Sequence, residues 1–444
     1  MEQLEDTPLL APDPLDRPFT DPLVGRLFPP LATGVPWVLE RTEQALESLG
    51  DPHRAYPTVH VGGTNGKGSV TSTLASILSA SGRRVACYTS PHLCSFRERM
   101  LVDTRPFSEA SLLAYAEDVR EAVVGFGLTF FEAITVLAFH AFRGEGVEVA
   151  VIEVGLGGRL DATNVLRPEV TAVTNVAMDH ADYLGNTLVE IAREKAGIMK
   201  PGVPFVTAES KPELLELFDG LARRKGAPFF GLDQDAVRDA EVTSTHTTFR
   251  VLTRSWGDLE IVTPLVGRHQ ATNAALAVEV LEHVPDVLRP GVREILSGIR
   301  EVSCHGRDEI TVIDGRTWLL DLAHNTAGVR SLVDTIDRLD LPRPLVALVG
   351  VLGDKEWRSM LPPLLSRADM AILTQPPSAP PERRWDPKVA AQEVESITRV
   401  RVVEDFARAL QGAAEGAGKG TVVVTGSVHT VGSAMTLLGI DPLG

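Results

Sequence analysis

Cysteine is scarce in this chain: three in 444 residues, at positions 87, 94 and 304. So small, odd and widely spaced a set supplies neither a disulfide framework nor the spacing of a metal cluster, and it fits a reducing cytosol. Positive charge is also in short supply. Lysine and arginine total 43 against 59 aspartates and glutamates, a formal net charge of −16. Phosphate repulsion then argues against a nucleic-acid partner. No apolar run is long enough to span a membrane, and the N-terminus lacks a basic-then-apolar signal pattern. The expectation is a cytoplasmic protein without a membrane partner. Hydrophobic residues at 44% and charged residues at 23% describe a globular protein. At 444 residues it exceeds one ordinary core, which points to two domains.

What is present is concentrated in short blocks. The β-branched run Thr58-Val59-His60-Val61 leads into Gly62-Gly63-Thr64-Asn65-Gly66-Lys67-Gly68-Ser69, and Ser69 to Ser81 has the pattern of an amphipathic helix. Strand, glycine loop, lysine and helix together form a phosphate-binding geometry. Glycines admit backbone N–H groups to the phosphate oxygens, the helix N-terminus adds partial positive charge, and Lys67 supplies a mobile cation. The spelling departs from G-x-x-x-x-G-K-[ST]. Val61 stands where the first glycine belongs, and Gly68 separates Lys67 from Ser69. Asn65, Gly66, Lys67, Gly68 and Ser69 are therefore expected to hold a nucleoside triphosphate.

From 57 to about 300 apolar strands alternate with helical stretches, at 84–89, 108–124, 130–143, 147–153, 170–176, 187–199, 203–207 and 211–225. That alternation predicts a parallel sheet covered on both faces. Phe249–Leu252 and Leu259–Thr263 read as an antiparallel hairpin. Alternation restarts with strands near 309–314, 317–322, 345–350, 369–374, 399–403 and 421–425. The predicted fold class is α/β: a larger N-terminal phosphate-loop domain with a parallel sheet and small hairpin, then a smaller Rossmann-like C-terminal domain. The expected boundaries are a disordered acidic, proline-rich extension over 1–18, a first domain over 19–300, a hinge at 301–306 and a second domain over 307–444.

The loop spelling GTNGKGS resembles the folylpolyglutamate synthase and dihydrofolate synthase family, relatives of the Mur peptide ligases. Further matching blocks include Ser90-Pro91-His92-Leu93, Phe131-Glu132, Glu153 to Asn164, Asp179-His180, Glu194 to Ile198, His269-Gln270 with Asn273, Asp321 to Asn325, and Gly426-Ser427. The family pattern usually shows proline at 305 and 326; His305 and Thr326 stand there instead.

Glu153 ends an apolar strand, where α/β proteins place functional groups. The resemblance implies Ser90, Glu153 and His180 as magnesium ligands. On their own, Ser90 reads as a turn residue and His180 as a loop residue. Lys195 alone reads as a lysine favourable to a helix C-terminus; the resemblance implies a carbamylated, anionic lysine. Thr129, Phe130, Phe131 and Glu132, with Leu160, Asp161 and Ala162, match segments that hold a pteroate. Phe130 and Phe131 also continue a helical apolar face, so one facing the ligand and the other the core is the expectation. Asn273, Arg307 and Asp321 resemble the nucleotide-contacting set. His324 and Ser427 are expected at the incoming glutamate and the transferred phosphate, or else as ordinary helix-start residues.

The implied activity is an ATP- and Mg2+-dependent ligase that adds L-glutamate to a pteroyl carboxylate through an acyl phosphate. Its small-molecule partners would be ATP, L-glutamate and pteroate or folate, bound by a monomer. The favoured subtype acts on both dihydropteroate and tetrahydrofolate; the alternative extends folates only. A Mur-type ligase acting on a nucleotide sugar would want a further N-terminal domain, and only some 55 residues precede the loop.

Overall fold

A computed structural model describes residues 21–444. The extension read over residues 1–18 lies outside the described residues. The N-terminal half is built on eight strands: β1 (Thr58–Gly62), β2 (Val85–Tyr88), β3 (Met100–Val102), β4 (Arg105–Pro106), β5 (Val149–Glu153), β6 (Val170–Val173), β7 (Phe205–Thr207) and β8 (Phe229–Gly231). Their order is β4-β3-β2-β5-β1-β6-β7-β8, parallel from β2 to β8 with an antiparallel β3–β4 edge.

Strand residues are apolar on both faces because both faces are covered. Val59, Val61, Val85, Cys87, Val149 and Val151 pack against Val70, Leu74 and Ile77 of the helix Lys67–Ala80, and against Leu276 and Ile299 of the helices Arg268–Leu281 and Val292–Glu301. Alternate residues Ala86, Tyr88, Ala150 and Ile152 face Leu112, Val119, Ile134 and Leu137 of the helices Glu109–Gly125 and Phe130–Gly144. Gly298 lets Val292–Glu301 lie against the phosphate-loop helix, since any side chain there would strike the Ile77 backbone. Ser76 Oγ donates to Gly298 O at 2.7 Å across the same contact.

The expected hairpin is a three-stranded antiparallel sheet: β9 (Val237–Val242), β10 (Thr247–Thr253) and β11 (Gly257–Thr263). The polar sequence Val-Arg-Asp-Ala-Glu-Val hides β9, and β3 and β4 are too short to show alternation. The helix expected over 187–199 ends at Lys195, followed by a 3-10 turn, Ala196–Ile198.

The C-terminal sheet runs β12-β13-β17-β14-β15-β16, from β12 (Glu309–Ile313), β13 (Arg316–Leu320), β14 (Leu345–Val349), β15 (Met370–Leu373), β16 (Arg399–Val402) and β17 (Thr421–Thr425). Only the β12–β13 pair is antiparallel. The loops after β1, β2, β5 and β6 meet the loops after β13, β14, β15 and β17 across one cleft.

Candidate active site

The loop after β1 is shaped by its glycines. Gly66 has φ +85°, and a Cβ there would lie 2.5 Å from Asn273 Oδ1, so only glycine fits. Lys67 begins the helix, and its Nζ donates to Thr64 O at 3.2 Å. Burial lowers its pKa, partly opposed by the nearby Glu153 carboxylate. The loop is tied to the segment after β6: Thr64 N donates to Asn175 O at 2.9 Å and Asn65 N to Asn175 Oδ1 at 3.1 Å.

Glu153, 2% exposed, ends β5 with Oε2 accepting from Ser90 N at 3.2 Å. Desolvation raises its pKa against the pull of Lys67 and Arg307. Gly68 faces the same space: a Cβ there would make ordinary contact with Glu153 Oε2 at 3.6 Å and Arg307 Nη2 at 3.7 Å. Ser90 Oγ and His180 Nδ1 are buried with no hydrogen-bond partner among the described residues. His180 sits at φ +51°, a strained setting for a non-glycine residue. Burial, then Lys355, lowers its pKa to about 3, leaving a neutral imidazole.

Lys195 closes its helix and donates from Nζ to Gly63 O at 2.9 Å. Desolvation, followed by the charge on Lys67, lowers its pKa to about 7. Glu194 does not pair with it, because Arg159 Nε holds the Glu194 carboxylate at 3.0 Å. Gly158 presses that loop onto the helix end, where a Cβ would lie 2.8 Å from Glu194 O and 2.9 Å from Lys195 O.

Asp179 is the junction with the C-terminal half. Its Oδ2 accepts from His324 Nε2 and Asn325 Nδ2, both at 3.0 Å, and its Oδ1 from Lys355 Nζ at 2.5 Å. Asn325 also exchanges side-chain hydrogen bonds with Asn65 at 3.0 and 3.2 Å. Its Oδ1 caps the helix Thr326–Arg338 at 2.8 Å, so that start needs no proline. At the 301–306 segment, Glu309 accepts from Gly306 N at 2.9 Å and meets His305 at 3.1 Å; hydrogen bonds hold this turn.

Beside the cleft, sharing Leu156 with it, is a smaller cavity lined by Trp37, Thr129, Phe131, Glu132, Leu160, Asp161 and Ala162. Two segments roughly thirty residues apart in sequence thus meet. Phe130 is not on the wall; it is buried in the core beneath Arg99, 5.9 Å from the ring centroid. Thr129 and Glu132 form a capping box, and Arg41 Nη2 meets Glu132 Oε1 at 2.8 Å. Asp161 organises its own loop, accepting from Leu156 N at 2.8 Å and Thr163 N at 3.0 Å.

Of the residues assigned from sequence, Asn65, Gly66, Lys67, Ser90, Glu153, His180, Lys195, Arg307, His324 and Ser427 line the cleft. Gly68 lines the cavity behind it, which reaches Ser90, Glu153 and Arg307. Ser69 is buried in the first turn of its helix, and Asn273 lies under Gly66. Asp321 braces the Arg307 loop, accepting from Asp308 N at 3.0 Å and Ala323 N at 2.9 Å. Sequence reasoning gave no role to Asp179, Lys355, Ser378, Arg383 or His429, which also line the cleft, or to Trp37 and Arg41. Lys355 had one legible signal: it follows the apolar strand β14, at a sheet's carboxyl edge.

Comparison with known proteins matches residues 61–281 to the Mur ligase middle domain and residues 306–428 to the Mur ligase, glutamate ligase domain. The chain is 32% identical over 410 residues to folylpolyglutamate synthase of Lacticaseibacillus casei, covering 89% of this chain and 93% of that protein. It is 33% identical over 460 residues to dihydrofolate synthase/folylpolyglutamate synthase of Mycobacterium tuberculosis, covering 91% and 90%. The solved structure of Mycobacterium tuberculosis folylpolyglutamate synthase complexed with ADP superposes with a TM-score of 0.84 at 33% identity, over 91% of this chain and 95% of that one. Two ligase domain models in order, and relatives aligned over nearly their full length, show that the chain belongs to the folylpolyglutamate synthase/dihydrofolate synthase family of Mur-type ligases.

Proposed function

We propose that this chain is an ATP-dependent ligase joining L-glutamate to pteroyl carboxylates, those of dihydropteroate and of tetrahydrofolate alike. The observation that carries the reading is the cavity of Trp37, Phe131 and Ala162 beside the phosphate-loop cleft, with Leu156 lining both. A pteroate held by these segments would lie next to the cleft that Lys67 lines.

A carboxylate oxygen attacks the terminal phosphorus of ATP, the bond to the departing ADP breaks, and an acyl phosphate forms. The amine of glutamate then attacks the carbonyl carbon, the C–O bond to phosphate breaks, and the nitrogen sheds its proton. Lys67 and Arg307 face the charge that develops on the transferring group. Asn65, Gly66, Gly68 and Ser69 cradle the phosphates, while Asn273, Arg307 and Asp321 form the nucleotide's further contacts. Thr129, Phe131, Glu132, Leu160, Asp161 and Ala162 hold the pteroate; Phe130 supports them from the core. His324 and Ser427 face the glutamate and the phosphate.

Ser90, Glu153 and His180 would hold magnesium. The unpartnered Ser90 Oγ and His180 Nδ1, a neutral imidazole and a buried carboxylate suit such an ion. Bound there, it would neutralise charge on the phosphoryl group. A substantial share of Lys195 is uncharged near neutrality, as carbamylation requires. The hinge lies at 301–306, between the helix ending at Glu301 and β12.

Glutamate-dependent phosphate release tests the substrate range. With saturating ATP and magnesium, dihydropteroate and tetrahydrofolate should both support it, with kcat/KM values within about a hundredfold, roughly 3 kcal/mol. Release with only one would make the enzyme monofunctional.

A further inference from the structure

Arg307 reaches the cleft from a turn that the fold ties down on both sides. Before it, Gly306 O accepts from Leu322 N at 2.9 Å; after it, Asp308 N donates to Asp321 Oδ2 at 3.0 Å. Asp308 turns the chain with φ +49°, a left-handed conformation that aspartate and asparagine adopt more readily than most residues. That conformation sets the direction in which Arg307 leaves the hinge toward the phosphate loop, where its Nη2 would lie 3.7 Å from a Cβ at Gly68.

The Asp308 side chain is fully buried, an expensive place for a carboxylate. The helix Thr326–Arg338 brings Thr335 to it, whose Oγ1 donates to Asp308 Oδ2 at 2.6 Å. The helix Arg268–Leu281 brings His269, 4.0 Å from the same oxygen and kept neutral by burial, which lowers its pKa. The hinge brings the Arg307 charge, and the end of β13 brings the Asp321 carboxyl into hydrogen-bond contact. Burial, then the charge on Asp321, raises the Asp308 pKa well above the usual carboxylate range. Two ionised carboxylates in contact repel, whereas one proton between them makes a hydrogen bond. Asp321 already accepts a backbone N–H on each oxygen, from Ala323 at 2.9 Å and from Asp308 at 3.0 Å. Asp308 Oδ1 is buried without a donor among the described residues. A proton on that atom leaves no orphan: Thr335 donates to Oδ2, and Oδ1–H donates to Asp321.

We propose that Asp308 is a positioning residue for Arg307: as a neutral acid it clasps Asp321 and so fixes the turn that aims the guanidinium at the transferring phosphoryl group. The proposal deepens the ligase reading above, on which the role of Arg307 rests. An asparagine at 308 would copy the neutral acid, its Oδ1 accepting from Thr335 and its Nδ2 donating to Asp321. A glycine would keep the left-handed turn without strain yet lose the clasp.

The test has two arms, one of which needs no substrate. Infrared difference spectra between the full chain and Asp308→Asn at neutral pH should contain the C=O stretch of a protonated carboxylic acid, shifted in heavy water. Absence of that band would overturn the proposal. The second arm is steady-state ADP formation with ATP, dihydropteroate and L-glutamate. Asp308→Gly should lower kcat about a hundredfold, the cost of a misaimed group. Asp308→Asn, which keeps both hydrogen bonds, should stay within about threefold of the unsubstituted enzyme. Arg307→Ala alone and combined with Asp308→Gly should be equally impaired, since Asp308 acts only through Arg307. Losses that multiply in the double variant would overturn the proposal, and so would an unchanged kcat in Asp308→Gly. A kcat in Asp308→Asn as low as in Arg307→Ala would overturn it as well, by showing that an ionised carboxylate is needed. Cooperative thermal unfolding reports an intact fold in each variant; should Asp308→Gly not fold, Asp308→Asn and the infrared arm still decide. No glutamate-dependent ADP formation by the unsubstituted enzyme would overturn the ligase reading itself, and the infrared arm would still test the clasp.

Discussion

The two walls of the cleft are built on opposite principles. On the N-terminal wall, polar atoms wait without partners: Ser90 Oγ and His180 Nδ1 are buried and unsatisfied among the described residues. On the C-terminal wall, charges and dipoles are already matched, Arg383 with Asp354, Ser378 with His429 and Lys355 with Asp179. An unsatisfied wall is preorganised for a ligand that arrives with its own charge, such as a nucleotide with a cation. A matched wall binds by exchanging partners. The first should govern turnover and the second recognition of the amino acid.

Lys67→Ala should break the N-terminal wall most severely. Turnover should fall by about a thousandfold or more, with the fold unchanged, because a cation aimed at the transferring phosphoryl group is lost. Retained turnover would remove the phosphate-loop assignment. Lys195 sharpens the same side through pH. A lysine is uncharged above its pKa, here about 7, so the form that accepts carbon dioxide dwindles as pH falls below that value. In carbon-dioxide-limited buffer, activity should drop by about tenfold for each pH unit below 7. It should level off above about pH 8. Short carboxylates should partly restore Lys195→Ala, and a flat pH profile without rescue would count against the carbamate. The smallest effect is expected on the matched wall. Arg383→Met should raise KM for L-glutamate by about tenfold, with kcat within about threefold. A fall in kcat as large as that of Lys67→Ala would erase the distinction between the walls.

The same contrast explains what could be read in the sequence. The N-terminal wall comes from contiguous blocks, each a strand followed by its loop. The backbone geometry of such a block dictates residue type, as Gly66 against Asn273 illustrates. The C-terminal wall is gathered from the loops after β13, β14, β15 and β17, each contributing one or two ordinary polar residues. No spacing links Lys355 to Asp179, 176 positions apart, or Ser378 to His429, 51 apart. Most parallel strands were legible through their continuous apolar runs, whereas β3, β4, β8 and β9 were too short or too polar to register. Phe130 and Phe131 show the limit within one helix. The expectation is one at the ligand and one in the core, but two adjacent aromatic residues read alike, and only the structure shows that Phe131 is the one on the cavity wall.

The central claim is that the cleft activates a pteroyl carboxylate by phosphorylating it before glutamate attacks. Dihydropteroate labelled with oxygen-18 in its carboxylate tests this most directly, with the released phosphate examined by mass spectrometry after turnover with ATP and L-glutamate. An acyl phosphate passes one carboxylate oxygen to the departing phosphate, so the account predicts phosphate carrying a single heavy oxygen for each amide formed. Unlabelled phosphate, released in step with amide synthesis, would contradict it.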